Sequence, residues 1–210
     1  MPVNNNNYQL AGNALRCERG GRLLFDNLSF DLESGQAMII QGSNGAGKTS
    51  LLRIITGLSQ PAEGSVLWNS KDIHSISEEY QDQLLYIGHL AAVKRELTVR
   101  ENLALLKRFW PAPGTMSVVE LAERVGLKKR LSVHCSRLSA GQQRRVSLAR
   151  LFISTQKLWV LDEPLTALDV DFIGVIEECL QHHLSNGGMA ILTTHRGIEL
   201  GDQHSFALNL

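Results

Sequence analysis

The 210-residue chain carries 43% hydrophobic and 20% charged residues, the profile of one globular domain with enough apolar material for a proper core. Lys plus Arg (21) equals Asp plus Glu (21), which excludes a net field for nucleic acid or an anionic membrane surface, so any anion must be held locally. No run reaches the roughly twenty apolar residues that cross a bilayer, and the start MPVNNNNYQL has neither a basic nor an apolar leader region, so the chain is expected to be neither exported nor membrane-spanning.

Residues 1–9, with asparagines at Asn4 to Asn7, lack apolar periodicity and predict a disordered lead-in to a single domain over residues 10–210. Short apolar runs suited to strands follow at residues 14–17, 23–32 and 37–41. The third opens onto Gly42, Ser43, Asn44, Gly45, Ala46, Gly47, Lys48 and Thr49, the pattern G-x-x-x-x-G-K-[ST], with a helical run over Ser50 to Thr56 behind it. Glycines let the backbone bend around phosphates and turn its N–H groups inward, and the helix adds its positive end. Lys48 is then placed for the β and γ phosphates of a nucleoside triphosphate and the Thr49 hydroxyl for Mg²⁺, with Ser50 adding a phosphate hydrogen bond. A glycine-rich turn with a solvated lysine is the plain alternative, and the flanking strand and helix argue against it.

Further strands are predicted at residues 66–68 and 84–88, after which residues 97–138 read as almost purely helical. This predicts a helical insert over about residues 90–138 within an α/β core. Capping-box spacing marks three helix starts, at Thr98 with Glu101, Ser117 with Glu120 and Ser139 with Gln142. The N–H groups behind Ser139 could take a phosphate, with Arg144 and Arg145 nearby. The next apolar run, residues 158–161, ends in Asp162-Glu163-Pro164 at the carboxyl edge of a buried strand, where open α/β sheets bind ligands. Asp162 is expected to hold Mg²⁺ and Glu163 to polarise an attacking water. An acidic turn before a helix-starting proline is the other reading.

The His182-His183 doublet falls on a helix without companion ligands and is expected at the surface. His195 closes the run beginning at Met189 and is a candidate to donate to the γ-phosphate or orient the water, against a solvated strand-end histidine. A last strand is expected at residues 205–208. Cys17, Cys135 and Cys179 fit no disulfide or zinc spacing and predict reduced thiols, with Cys179 filling core.

Leu138 to Arg145, LSAGQQRR, closely resembles the signature of the ABC (ATP-binding cassette) ATPases, as Thr166 to Asp169 resembles their D-loop and Ile191 to His195 their switch-histidine strand. The resemblance implies a P-loop core with an antiparallel β subdomain and an inserted helical subdomain. It also implies ATP and Mg²⁺ as ligands, Lys48, Glu163 and His195 as catalytic residues, and a head-to-tail dimer. In that dimer Ser139, Ala140, Gly141 and Gln142 contact the nucleotide of the opposite subunit. Within the family, GSNGAGKTSLLRIITGLSQPAEGSVLW, LLYIGH with LTVRENL, and LSAGQQRRVSLARL before LWVLDEP resemble ATP-binding subunits of cytochrome c maturation. That implies membrane-spanning partner subunits, a peripheral place on the cytoplasmic face of the inner membrane, and coupling of hydrolysis to haem export or release of a haem-loaded chaperone. An ATPase of another ABC transporter, and a soluble ABC ATPase acting on ribosomes or repair, are the alternatives. The chain departs from the family pattern at His89, in place of the Q-loop glutamine, at Ala140, and at Arg19, where the adenine-stacking aromatic usually stands. The metal reading extends to the His89 region, and an imidazole there would make coupling sensitive to pH between about 5 and 8. Arg19 would stack through its guanidinium plane or stay solvated.

Overall fold

The structure, a computed structural model, describes residues 7–110, 116–194, 197–200 and 205–210. His195 and most of the asparagine run lie outside the described residues. In chain order the strands are β1 (Gln9–Arg19), β2 (Arg22–Glu33), β3 (Ala37–Gln41), β4 (Glu63–Trp68), β5 (Lys71–Asp72), β6 (Leu84–Ile87), β7 (Leu158–Leu161), β8 (Met189–Thr193) and β9 (Ser205–Asn209). The helices are α1 (Lys48–Ile55), α2 (Ser77–Asp82), α3 (Val99–Phe109), α4 (Val118–Arg124), α5 (Ala140–Leu148) and α6 (Val170–Ser185). Two compact units emerge, one from residues 1–86, 156–162 and 180–210, the other from residues 87–155 and 163–179.

The first unit holds two sheets. β2-β1-β4-β5 is antiparallel throughout its pairings. In β1, Leu10, Leu15 and Cys17 are buried while Asn13 and Glu18 stay exposed, the signature of a sheet with one face on the core. The second sheet runs β6-β7-β8-β3-β9, with parallel pairing across β7-β8, β8-β3 and β3-β9. Its central strands are apolar almost without interruption because both faces are covered; every residue of β7 and β8 is buried. Leu51, Leu52, Ile54 and Ile55 of α1 fill the core beside Met38, Ile40, Val160 and Ile191. Tyr8 stacks on Trp68 at 5.4 Å and Trp68 meets Tyr80 edge-on at 5.5 Å. Tyr8 and Gln9 are therefore ordered parts of the fold, because an aromatic partner and a strand register override their polar sequence context.

The second unit is helical. All three predicted capping boxes form, each closed from both sides: the Thr98, Ser117 and Ser139 hydroxyls accept the backbone N–H three residues on, and Glu101, Glu120 and Gln142 accept from the N-cap N–H. The unit runs past the expected insert of residues 90–138 to include α5 and the start of α6. Val99, Leu103, Leu121, Leu127, Cys135, Val146 and Leu151 are all buried. Among the described residues no helix is long and apolar enough to cross a membrane.

Candidate functional site

In the first unit β3 ends at Gln41 and the chain turns through the glycine-rich loop into α1, which starts at Lys48. Gly47 caps α1 with φ 110°, a left-handed value that an L side chain reaches only with strain. A Cβ there would also press on Leu24 at 3.1 Å. The Lys48 ammonium is buried over the loop and donates to the Gly42 carbonyl at 2.7 Å and the Ser43 carbonyl at 3.0 Å. Ser43, Asn44, Gly45 and Ala46 form the outer bend, and Ser50 follows on the first turn of the helix.

Asp162, at the end of β7, is buried and holds two hydroxyls on its two oxygens. Thr49 Oγ1 donates to Oδ2 at 3.0 Å and Thr193 Oγ1, from the end of β8, donates to Oδ1 at 2.8 Å. A hydroxyl and a carboxylate so close form an all-oxygen pair of the kind a hard divalent cation prefers. Burial first, and then the Asp162 charge, push the Tyr86 phenol up. Thr193 escaped the sequence reading, although a hydroxyl terminating an apolar strand at the sheet edge was its available signal.

Glu163 belongs to the second unit, where its carboxylate accepts from Thr166 Oγ1 at 3.3 Å and lies 3.6 Å from His89 Nδ1. Its backbone is left-handed, φ 48°, unusual for a non-glycine residue. His89 thus faces a single carboxylate, and among the described residues no group of three or more His, Cys, Asp or Glu side chains gathers as a metal site. The segment after it is pinned by the buried Asn102 amide, which accepts from the Lys94 N–H at 2.8 Å and donates to the Lys94 and Thr98 carbonyls. Asn102 also approaches Cys135 Sγ at 3.2 Å, whereas His134 turns its Nδ1 to the Glu96 carbonyl.

Ser139, Ala140, Gly141 and Gln142 open α5 and line a cleft of about 520 Å³ together with Ala167 and Asp169. A Cβ on Gly141 would fall on the Ala167 carbonyl oxygen, so the two segments meet only because position 141 is glycine. Arg145 closes the cleft by pairing with Asp169 and lying over the Phe172 ring at 4.4 Å. Asp169 accepts from the Phe172 N–H at 3.0 Å and so caps α6; that bond first, then Arg145, holds its carboxyl below the usual range. Arg19 donates to Ser59 Oγ at 2.9 Å in the first unit, a hydroxyl that Arg53 Nε also reaches at 3.4 Å.

Residues 25–166, most of the chain, match the family described as ABC transporter. The chain belongs to the ABC transporter family. It is an ABC ATPase by that membership, and nucleotide binding comes with it. Curated relatives called cytochrome c biogenesis ATP-binding export protein CcmA are similar along nearly their whole length. The one from Photobacterium profundum is 46% identical over 202 residues, 90% of this chain and 94% of the relative. The one from Escherichia coli is 43% identical over 194 residues, 92% of each. Among solved structures, an ATP-binding subunit of an ABC transporter superposes with TM-score 0.75 at 25% identity, covering 89% of this chain and 79% of the other. An ATP-binding cassette of an ABC transporter in its ADP conformation superposes with TM-score 0.70 at 23% identity, over 90% and 82% of the two chains, and supports the fold.

Proposed function

We propose that this ABC ATPase is the ATP-hydrolysing subunit of a membrane complex in cytochrome c maturation, coupling hydrolysis to haem export or release of a haem-loaded chaperone. The observation that carries the pathway is the 43–46% identity to relatives named for cytochrome c biogenesis over about nine-tenths of their length. The loop from Gly42 to Thr49, with Ser50, receives the triphosphate on its N–H groups. Lys48, now on the Gly42 and Ser43 carbonyls, exchanges these acceptors for phosphate oxygens, a stronger pairing of opposite charges. Thr49 and Asp162 fit Mg²⁺, which would neutralise charge on the phosphates, and Thr193 holds Asp162 in the orientation this needs. Glu163 takes the proton of the attacking water, with Thr166 and His89 orienting its carboxylate. His195 completes the set as a donor near the γ-phosphate.

Ser139 to Gln142 serve the nucleotide of a second copy in a head-to-tail dimer. The helical unit, with His89, passes the resulting movement to membrane-spanning partner subunits from the cytoplasmic face of the inner membrane. Adenine is left to Arg19, whose bond to Ser59 restrains a guanidinium plane on which a base could stack. The test is ATP hydrolysis and cytochrome c assembly in membranes carrying this chain with its partner membrane proteins. Lys48→Ala is expected to lower hydrolysis by on the order of 100-fold and to abolish assembly. Lost hydrolysis with normal cytochromes would discard the pathway, and unchanged hydrolysis would discard the site.

A further inference from the structure

We infer that Arg144 is a positioning residue for hydrolysis, a single guanidinium that sets the backbone of Glu163 and of His89 and so aims the carboxylate between them. The inference rests on Glu163 being the base. Arg144 and Arg145 stand side by side on α5 but point to different places: Arg145 reaches Asp169, whereas Arg144 is only 4% exposed. Its Nη1 donates to the Gly88 carbonyl at 2.8 Å and the His89 carbonyl at 3.2 Å. Nη2 donates to the Glu163 carbonyl at 3.0 Å and Nε to the Pro164 carbonyl at 3.3 Å.

Four carbonyls on two separate segments therefore share one planar fork, an arrangement that a lysine ammonium, a point charge on a flexible stem, cannot reproduce. The bonds fall where the chain most needs them. Glu163 holds a left-handed backbone, which persists only when its surroundings over-determine it, and two of the four bonds lock the peptide groups that follow. The other two lock His89, whose Nδ1 lies 3.6 Å from Glu163 Oε2. Both ends of that contact hang on the same side chain, which is carried by the helix that begins in the signature cleft. Movement of α5 has a direct mechanical route to the base.

The experiment measures ATP hydrolysis and ATP affinity in membranes carrying the assembled complex with Arg144→Gln, Arg144→Lys, Glu163→Gln and the Arg144→Gln/Glu163→Gln pair. Arg144→Gln is expected to lower kcat by on the order of 10- to 100-fold while KM and ATP affinity stay within about threefold, because the phosphate loop is untouched. Arg144→Lys is expected to recover little. In the paired variant the loss should equal that of Glu163→Gln alone, since Arg144 acts through that residue. Losses that multiply, wild-type kcat in Arg144→Gln, or lost ATP binding would each overturn the inference. A wild-type rate for Glu163→Gln would remove the base assignment, and this inference with it. Should Arg144→Gln fail to fold, Arg144→Lys carries the comparison, and failure of both would assign Arg144 to stability alone.

Discussion

Asp162 owes its orientation to two hydroxyls from opposite ends of the sequence, Thr49 and Thr193, and the second has no part in any phosphate-binding motif. Removing it with Thr193→Val keeps the shape of a fully buried side chain and deletes one donor to the carboxylate. Outer hydrogen-bond partners of metal ligands typically change metal affinity 10- to 100-fold. The Mg²⁺ concentration for half-maximal hydrolysis should therefore rise by about that factor, while hydrolysis at saturating Mg²⁺ stays within about threefold of wild type; an unchanged Mg²⁺ titration would refute the role. Asp162 and Lys48 were legible because strand, loop and helix each leave a local pattern. Thr193 and Arg144 were not, because their partners are set by which strands and helices become neighbours, and one-dimensional spacing holds no record of that. The neighbour of His89 was hidden for the same reason: the fold sets its Nδ1 3.6 Å from Glu163, and no group of three or more His, Cys, Asp or Glu side chains gathers among the described residues.

Helices that announce their own ends were the most readable elements, since a capping box needs only residues three apart, and all three formed at the expected positions. α2, a six-residue helix, and β5, a two-residue strand, carry too little periodicity to register. At the carboxyl end of α6 the His182-His183 doublet reads as surface, which His182 is. His183 instead stacks on Trp159 with ring centroids 3.7 Å apart and planes within 7°, its Nε2 3.2 Å from the Met189 carbonyl. Burial chiefly pushes the imidazole down from 6.5 to about 4. A histidine held neutral in the folded state gains its proton earlier when unfolded, so the unfolded chain binds more protons between about pH 6.5 and 4. The full contribution is present above pH 6.5 and is lost as pH falls to about 4, a loss of roughly 3 kcal/mol. Urea unfolding of wild type and His183→Phe across that range should show the smaller pH slope in the variant; identical slopes would exclude His183 as the source.

At the scale of the whole molecule, the α/β core interrupted by helices that the sequence predicts is present, and the helical unit extends beyond residue 138. The signature segment reads as a new start because Ser139 is an N-cap, yet α5 packs with the helical unit. In the proposed head-to-tail dimer, the segment offered to the second copy depends on a close approach inside that unit, where Gly141 meets the Ala167 carbonyl. With Glu163→Gln slowing hydrolysis, MgATP should double the mass seen by light scattering and ADP should not. Adding Gly141→Ala, which forces Ala167 away, should abolish the doubling; a dimer surviving that change would place the contact elsewhere.

The order of strands in the parallel sheet sets a timetable for synthesis. β3, apolar and buried, takes both neighbours from the far end of the chain: Ala37 to Ile40 pair with Ala190 to Thr193 on one side and with Ser205 to Leu208 on the other. While the ribosome makes everything between, those backbone groups have no native strand to bond, and the glycine-rich bend after β3 has no finished sheet to stand on. The sheet that carries that bend is thus complete only once β9 has been made. An incomplete product is left with a sticky edge, which is where aggregation would begin.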